Sequence, residues 1–197
     1  MADLTLDKRH TALLIADFYA DAMATLPHAV ERNCVQKTQR LRESARKAGI
    51  LVCYSATVFR PGYVEVHERN KIFSARKRSG QPAVSDPVAL IHVDLRPGDA
   101  EPVVGKHRVN AMFGTDLPVI LGANDVNTLI LLGFATSGVV LSTTRFAADA
   151  DYRLVIVEDC CADRDAGVHD FLCQKIFPSQ ADVVQSSDVI RALVEQP

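Results

Sequence analysis

Neither sign of charge dominates this chain. Its 22 Lys and Arg residues stand against 24 Asp and Glu, a formal net charge of −2. So weak a field excludes the electrostatic grip that nucleic acid or an anionic membrane demands. Cysteine is sparse: Cys34, Cys53, Cys160, Cys161 and Cys173 form no CxxC pair. An odd count without that spacing excludes a disulfide framework and a zinc knuckle, and it fits a reducing cytoplasm. Long hydrophobic runs are missing too. The longest, around residues 129–132, falls far short of the roughly 20 residues of a membrane helix. The opening MADLTLDKRH lacks the apolar stretch of a signal peptide. There is no internal repeat, linker or low-complexity tract.

What is present is ordinary globular material: 48 % hydrophobic and 23 % charged residues. A chain of this length buries about 70 % of its unfolded surface, enough for one core. Residues 1–197 therefore read as one domain. Short apolar runs alternate with helical patterns, which predicts βαβ units and a mostly parallel six-stranded sheet in a three-layer α/β/α sandwich. Strands are expected at 11–17 (TALLIAD), 50–57 (ILVCYSAT), 101–105, 126–133 (VNTLILLG), 154–158 (LVIVE) and around Val183. A long helix should open at Pro27, bury Val30, Cys34, Leu41, Ala45 and Ala48, and end at Gly49. Further helices are expected at 115–122, 137–150, 167–177 and 188–194. Residues 59–99 break the pattern and read as a long loop, functional or disordered.

In open parallel sheets ligands sit at the carboxyl ends of strands. That rule singles out Asp17 after the first strand, Lys106 after the third, and residues 133–139 (GFATSGV) after the fourth. One carboxylate beside one ammonium is a way to tune an acid or base. The turn at Ala135, Ser137, Gly138 and Val139 opens a helix, so its free N–H groups form an anion or oxyanion site. Ser137 itself is expected to cap that helix.

These pieces resemble the isochorismatase-like hydrolases, a family of nicotinamidases, carbamoylases and isochorismatases. LLIADFYAD is similar to the family's opening strand with its catalytic aspartate, here Asp17. KHRVNAMFGTDL is similar to its lysine segment, with Lys106 followed by Met112, Phe113, Gly114 and Thr115. GFATSGVVLSTTRFAADADYRLVIVEDCCAD is similar to the block that usually carries the nucleophilic cysteine. The resemblance puts that cysteine at Val139, and valine cannot attack. It therefore implies a branch without a thioester, like isochorismatases proper, which carry glycine there and use the retained aspartate as general acid. It also implies a cis peptide at Phe134–Ala135. Nicotinamidases of the family bear an Asp-x-His pair after the second strand, absent from residues 54–60 here, so neither a metal nor another cofactor is expected.

The substrate is expected to be a small, carboxylated molecule. Arg60 in FRPG either binds its carboxylate or belongs to a plain turn. Tyr63 and Phe113 are further substrate-binding candidates, with His67 and Arg69 weaker ones. Cys160 and Cys161 read as buried structural thiols, and Arg76, Lys77 and Arg78 as a solvated face. The resemblance implies a homo-oligomer, dimer or tetramer. A ligand-binding protein without turnover is the rival reading.

Overall fold

A computed structural model describes residues 4–195. Six apolar runs become strands because valine, isoleucine and leucine suit a sheet covered on both faces. They are β1 (Thr11–Ala16), β2 (Leu51–Thr57), β3 (Val103–Lys106), β4 (Thr128–Gly133), β5 (Arg153–Val157) and β6 (Asp182–Val184). Every pairing is parallel, in the order β3-β2-β1-β4-β5-β6. Parallel neighbours need crossover helices, and these flank the sheet: α1 (Ala20–Thr25), α2 (Pro27–Glu31), α3 (Cys34–Ala48), α4 (Lys71–Arg78), α5 (Leu117–Ala123), α6 (Leu141–Asp149), α7 (Ala166–Phe171) and α8 (Ser186–Glu195).

β1 and β4 are completely buried, as the centre of such a sheet must be. Their junction is the topological switch point, because connections run outward from it on both sides. The strands approach closely there: a Cβ on Gly133 would lie 2.3 Å from the Ala16 carbonyl oxygen. Only glycine allows that contact.

Several expectations need correction. The helix opened by Pro27 is two helices, broken at Asn33, whose φ of 53° is left-handed. Val30 therefore turns outward, while Cys34, Leu41 and Ala45 stay buried. The segment 59–99 is not a bare loop: it holds α4, which its Asn70 side chain caps by accepting from the Phe73 N–H. The helix expected from Ser137 starts with a π turn, Thr136–Val140, before α6.

Candidate active site

The polypeptide leaves β1 in a tight turn. Asp17 adopts φ 57°, a left-handed conformation aspartate tolerates better than most residues. Its N–H donates to the Ser55 carbonyl and its own carbonyl accepts from the Tyr19 N–H, at 2.9 and 2.8 Å. The side chain is thereby pinned over the strand ends, almost wholly buried.

Lys106 ends β3 in register with Thr57 and is 1 % exposed. A buried ammonium has three protons to satisfy. They go to Asp17 Oδ2 at 2.7 Å, Thr57 Oγ1 at 2.5 Å and the Arg108 carbonyl at 3.2 Å. Asp17 fares differently: its Oδ1 is buried and has no partner. Burial raises the Asp17 carboxyl above the ordinary carboxylate range, although Lys106 opposes this by charge and hydrogen bond. The group is thus a buried acid with Oδ2 tied to Lys106, Oδ1 without a close hydrogen bond, and the Tyr19 hydroxyl near enough to lower it as well.

That arrangement faces a cavity of about 490 Å³, whose lining includes Asp17, Lys106, Val139, Asp163, Arg76 and Arg164. Val139, 1 % exposed, contributes hydrocarbon wall. All five cysteines are free and buried, and none lines the cavity. Burial pushes the Cys34 thiol up to about 11 and those of Cys53 and Cys173 up to about 12, and it raises Cys160 and Cys161 as well. At neutral pH these are protonated thiols, poor nucleophiles.

The turn after β4 departs from the expected anion site. The peptide Phe134–Ala135 is cis. The Ser137 N–H donates to Asp163 Oδ2 at 2.6 Å, and the Arg164 N–H to Asp163 Oδ1 at 2.8 Å. Thr136 and Gly138 direct their N–H groups to the Ala162 and Ala135 carbonyls, each at 2.9 Å. A resident carboxylate occupies the place where a bound anion was expected. Ser137 is exposed at the cavity lining, and Asp163, not the Ser137 hydroxyl, caps the turn.

The three substrate-binding candidates lie outside the cavity lining. Arg60 is drawn away by Glu65, 3.3 Å distant. Tyr63 is buried in a satellite cluster with Phe59, Val66 and Phe73, its hydroxyl donating to the Gln81 carbonyl at 2.9 Å. Phe113 is 57 % exposed. In their place the fold supplies Tyr19, Arg76, Asp163 and Arg164. The Tyr19 hydroxyl accepts from the Thr57 N–H at 2.7 Å, and burial, then the Asp17 charge, push this phenol well up. Arg76 is no solvated residue: its guanidinium carbon sits 5.5 Å from the Phe59 ring centroid, a cation–π contact. Asp163 and Arg164 follow β5, so extending the strand-end rule to the fifth strand finds them.

Against known proteins, the isochorismatase domain profile matches residues 11–188. This chain belongs to the isochorismatase family. It is similar to an N-carbamoylsarcosine amidase of an Arthrobacter species, 29 % identical over 83 % of this chain and 62 % of that protein. The chain thus spans less than two thirds of that amidase's length. A maleamate amidohydrolase of Pseudomonas putida is 28 % identical over 94 % of this chain and 87 % of its own. Among solved structures, an isochorismatase-family protein from Burkholderia thailandensis superposes with TM-score 0.83 at 26 % identity, covering 98 % of this chain and 99 % of that one.

Behind the site, this isochorismatase-family chain carries a second polar array. Glu158 Oε1 can only accept, so His169 presents a protonated Nε2 to it at 3.0 Å. Its Nδ1 is hydrogen-bonded to the Thr136 hydroxyl at 2.8 Å. Arg32 and Gln185 also bond Glu158. The His169 bond holds the Glu158 carboxyl well down, to about 2. The array ties Thr136, at the head of the turn, to α2 and α7. Among the described residues, no three His, Cys, Asp or Glu side chains cluster as metal ligands.

Proposed function

We propose that this chain is an isochorismatase-family hydrolase that acts on a small carboxylated molecule through Asp17, without a covalent cysteine intermediate. The carrying observation is the asymmetry of one carboxylate in a side chain that lines the cavity: Oδ2 is held by Lys106, while Oδ1 is buried without a close hydrogen bond. Such an oxygen takes a proton from water as the new C–O bond forms. It returns that proton to the departing nitrogen or oxygen as the scissile bond breaks, so one water is consumed and Asp17 ends unchanged. Lys106 keeps the other oxygen fixed and its charge matched throughout. Val139 stands in the cavity where the resemblance puts a nucleophile, and no thiol lines that cavity.

Arg76 and Arg164 make the cavity suited to an anion. The relatives support this in the names of their substrates: N-carbamoylsarcosine and maleamate are both carboxylic acids with a C–N bond open to hydrolysis. Residues 1–197 act in this reading as one domain. The free cysteines suit a cytoplasmic setting, and exposed Phe113, Val119 and Phe146 suit a homo-oligomer.

The test is turnover of maleamate, N-carbamoylsarcosine, ureidoacrylate and isochorismate. Asp17→Asn should lower the rate on the accepted compound by about 10²–10⁴-fold; undiminished turnover overturns the reading. Val139 favours the second reading, a binder without chemistry. Heat of binding with ligand intact after long incubation supports that alternative.

A further inference from the structure

The main cavity has a neighbour. A second cavity, about 370 Å³, is lined by Asp21, Thr25 and Gln81 among others and shares Tyr19, Arg76 and Arg164 with the first. The two chambers therefore meet at Tyr19, Arg76 and Arg164.

The two arginines lack anions of their own. The arginine ion pairs among the described residues involve Arg9, Arg32, Arg46, Arg60, Arg78, Arg153 and Arg191, and neither Arg76 nor Arg164. Arg76 Nε is moreover buried without a hydrogen-bond partner, while the Phe59 ring holds the guanidinium in place. Burying an unpaired donor is costly. A carboxylate at the junction relieves that penalty, since its two oxygens match the guanidinium fork. Beyond the pair, the second chamber offers Asp21, which makes no side-chain ion pair among the described residues, and the polar Thr25 and Gln81.

We propose that this junction is the substrate's carboxylate subsite and that the second chamber extends the active site. Arg76 and Arg164 hold the carboxylate, the scissile bond lies toward Asp17, and an N–H-bearing substituent on the carboxylate-bearing carbon points to Asp21. The substrate class is an α-amino or N-substituted amino acid whose far end carries an amide or ureido group. This deepens the preceding reading and rests on it for the position of the scissile bond.

Calorimetric titration tests it with two probe pairs that differ only in the α-ammonium: succinamate against L-asparagine, and glutaramate against L-glutamine. The expected result is that at least one amino acid binds the wild-type protein roughly tenfold more tightly than its partner acid. Asp21→Asn should erase that preference and leave the partner acid's affinity unchanged. Arg76→Met and Arg164→Met should each weaken both members roughly tenfold, with Arg76→Lys, which keeps charge but loses the fork, falling between. Arg164 is exposed, so its removal leaves the core intact. Absence of binding by all four probes overturns the proposal. So does affinity unchanged within about twofold in both arginine variants, or equal binding within each pair. The readout is binding, so a protein that binds but does not turn over still supports the subsite. Conversely, unaffected turnover by Asp17→Asn alongside weakened arginine variants removes only the catalytic reading.

Discussion

At the scale of the residue, the active-site reading depends on what each polar atom can pair with. Lys106 satisfies all three protons, and Asp17 satisfies one oxygen of two. Removing the ammonium removes the strongest influence holding the Asp17 carboxyl down, leaving only the Tyr19 hydroxyl and the Arg76 charge against the burial that raises it. Lys106→Met should therefore move the acidic limb of the kcat/KM profile to higher pH. A limb that stays or moves lower contradicts the pairing. Glu158 provides the opposite sign. Its folded pKa, about 2 against a usual 4.5, means stability fully present above pH 4.5 and lost as pH falls toward 2. With a side chain only 19 % exposed, Glu158→Gln should cost about 3 kcal/mol in urea unfolding at pH 7. The difference should vanish near pH 2. At this scale the sequence displayed Asp17 and Lys106, each closing an apolar strand. Arg76 was hidden because its neighbours Lys77 and Arg78 really are exposed. Of the two readings of Arg60, its pairing with Glu65 fits the plain turn.

At the scale of the element, strands were legible and helix interruptions were not. A fully buried parallel strand leaves a continuous apolar run, so β1, β2 and β4 lie within a residue or two of their expected bounds. The break at Asn33 and the π turn at 136–140 depend on local dihedrals and on tertiary partners such as Asp163, which no periodicity records. α4 escaped notice because six of its eight residues are not buried, so it shows no apolar stripe. The close approach of β4 to β1 gives this scale its prediction. Gly133→Ala would drive a methyl group against the Ala16 carbonyl and should cost about 2–3 kcal/mol. It should also disturb the cavity, since Asp17 and Phe134 flank this contact. A melting temperature unchanged from wild type contradicts the packing.

At the scale of the whole molecule, the fold gathers three strand ends on one rim beside two chambers, with the Asp17 carboxylate lining the first, and keeps sulfur elsewhere. Composition revealed five cysteines, but only the fold shows that none borders the cavity. A thiol titration of the native protein should find no fast-reacting group, and all five should appear on unfolding. A rapidly labelled thiol whose modification stops turnover contradicts the account. The most direct measurement compares turnover of the accepted carboxylated compound by three samples: wild type, Asp17→Asn, and wild type treated with a thiol-blocking reagent. The account predicts that the treated enzyme keeps its rate while Asp17→Asn loses about 10²–10⁴-fold. A blocked enzyme that dies, or an Asp17→Asn variant that turns over at the wild-type rate, contradicts it.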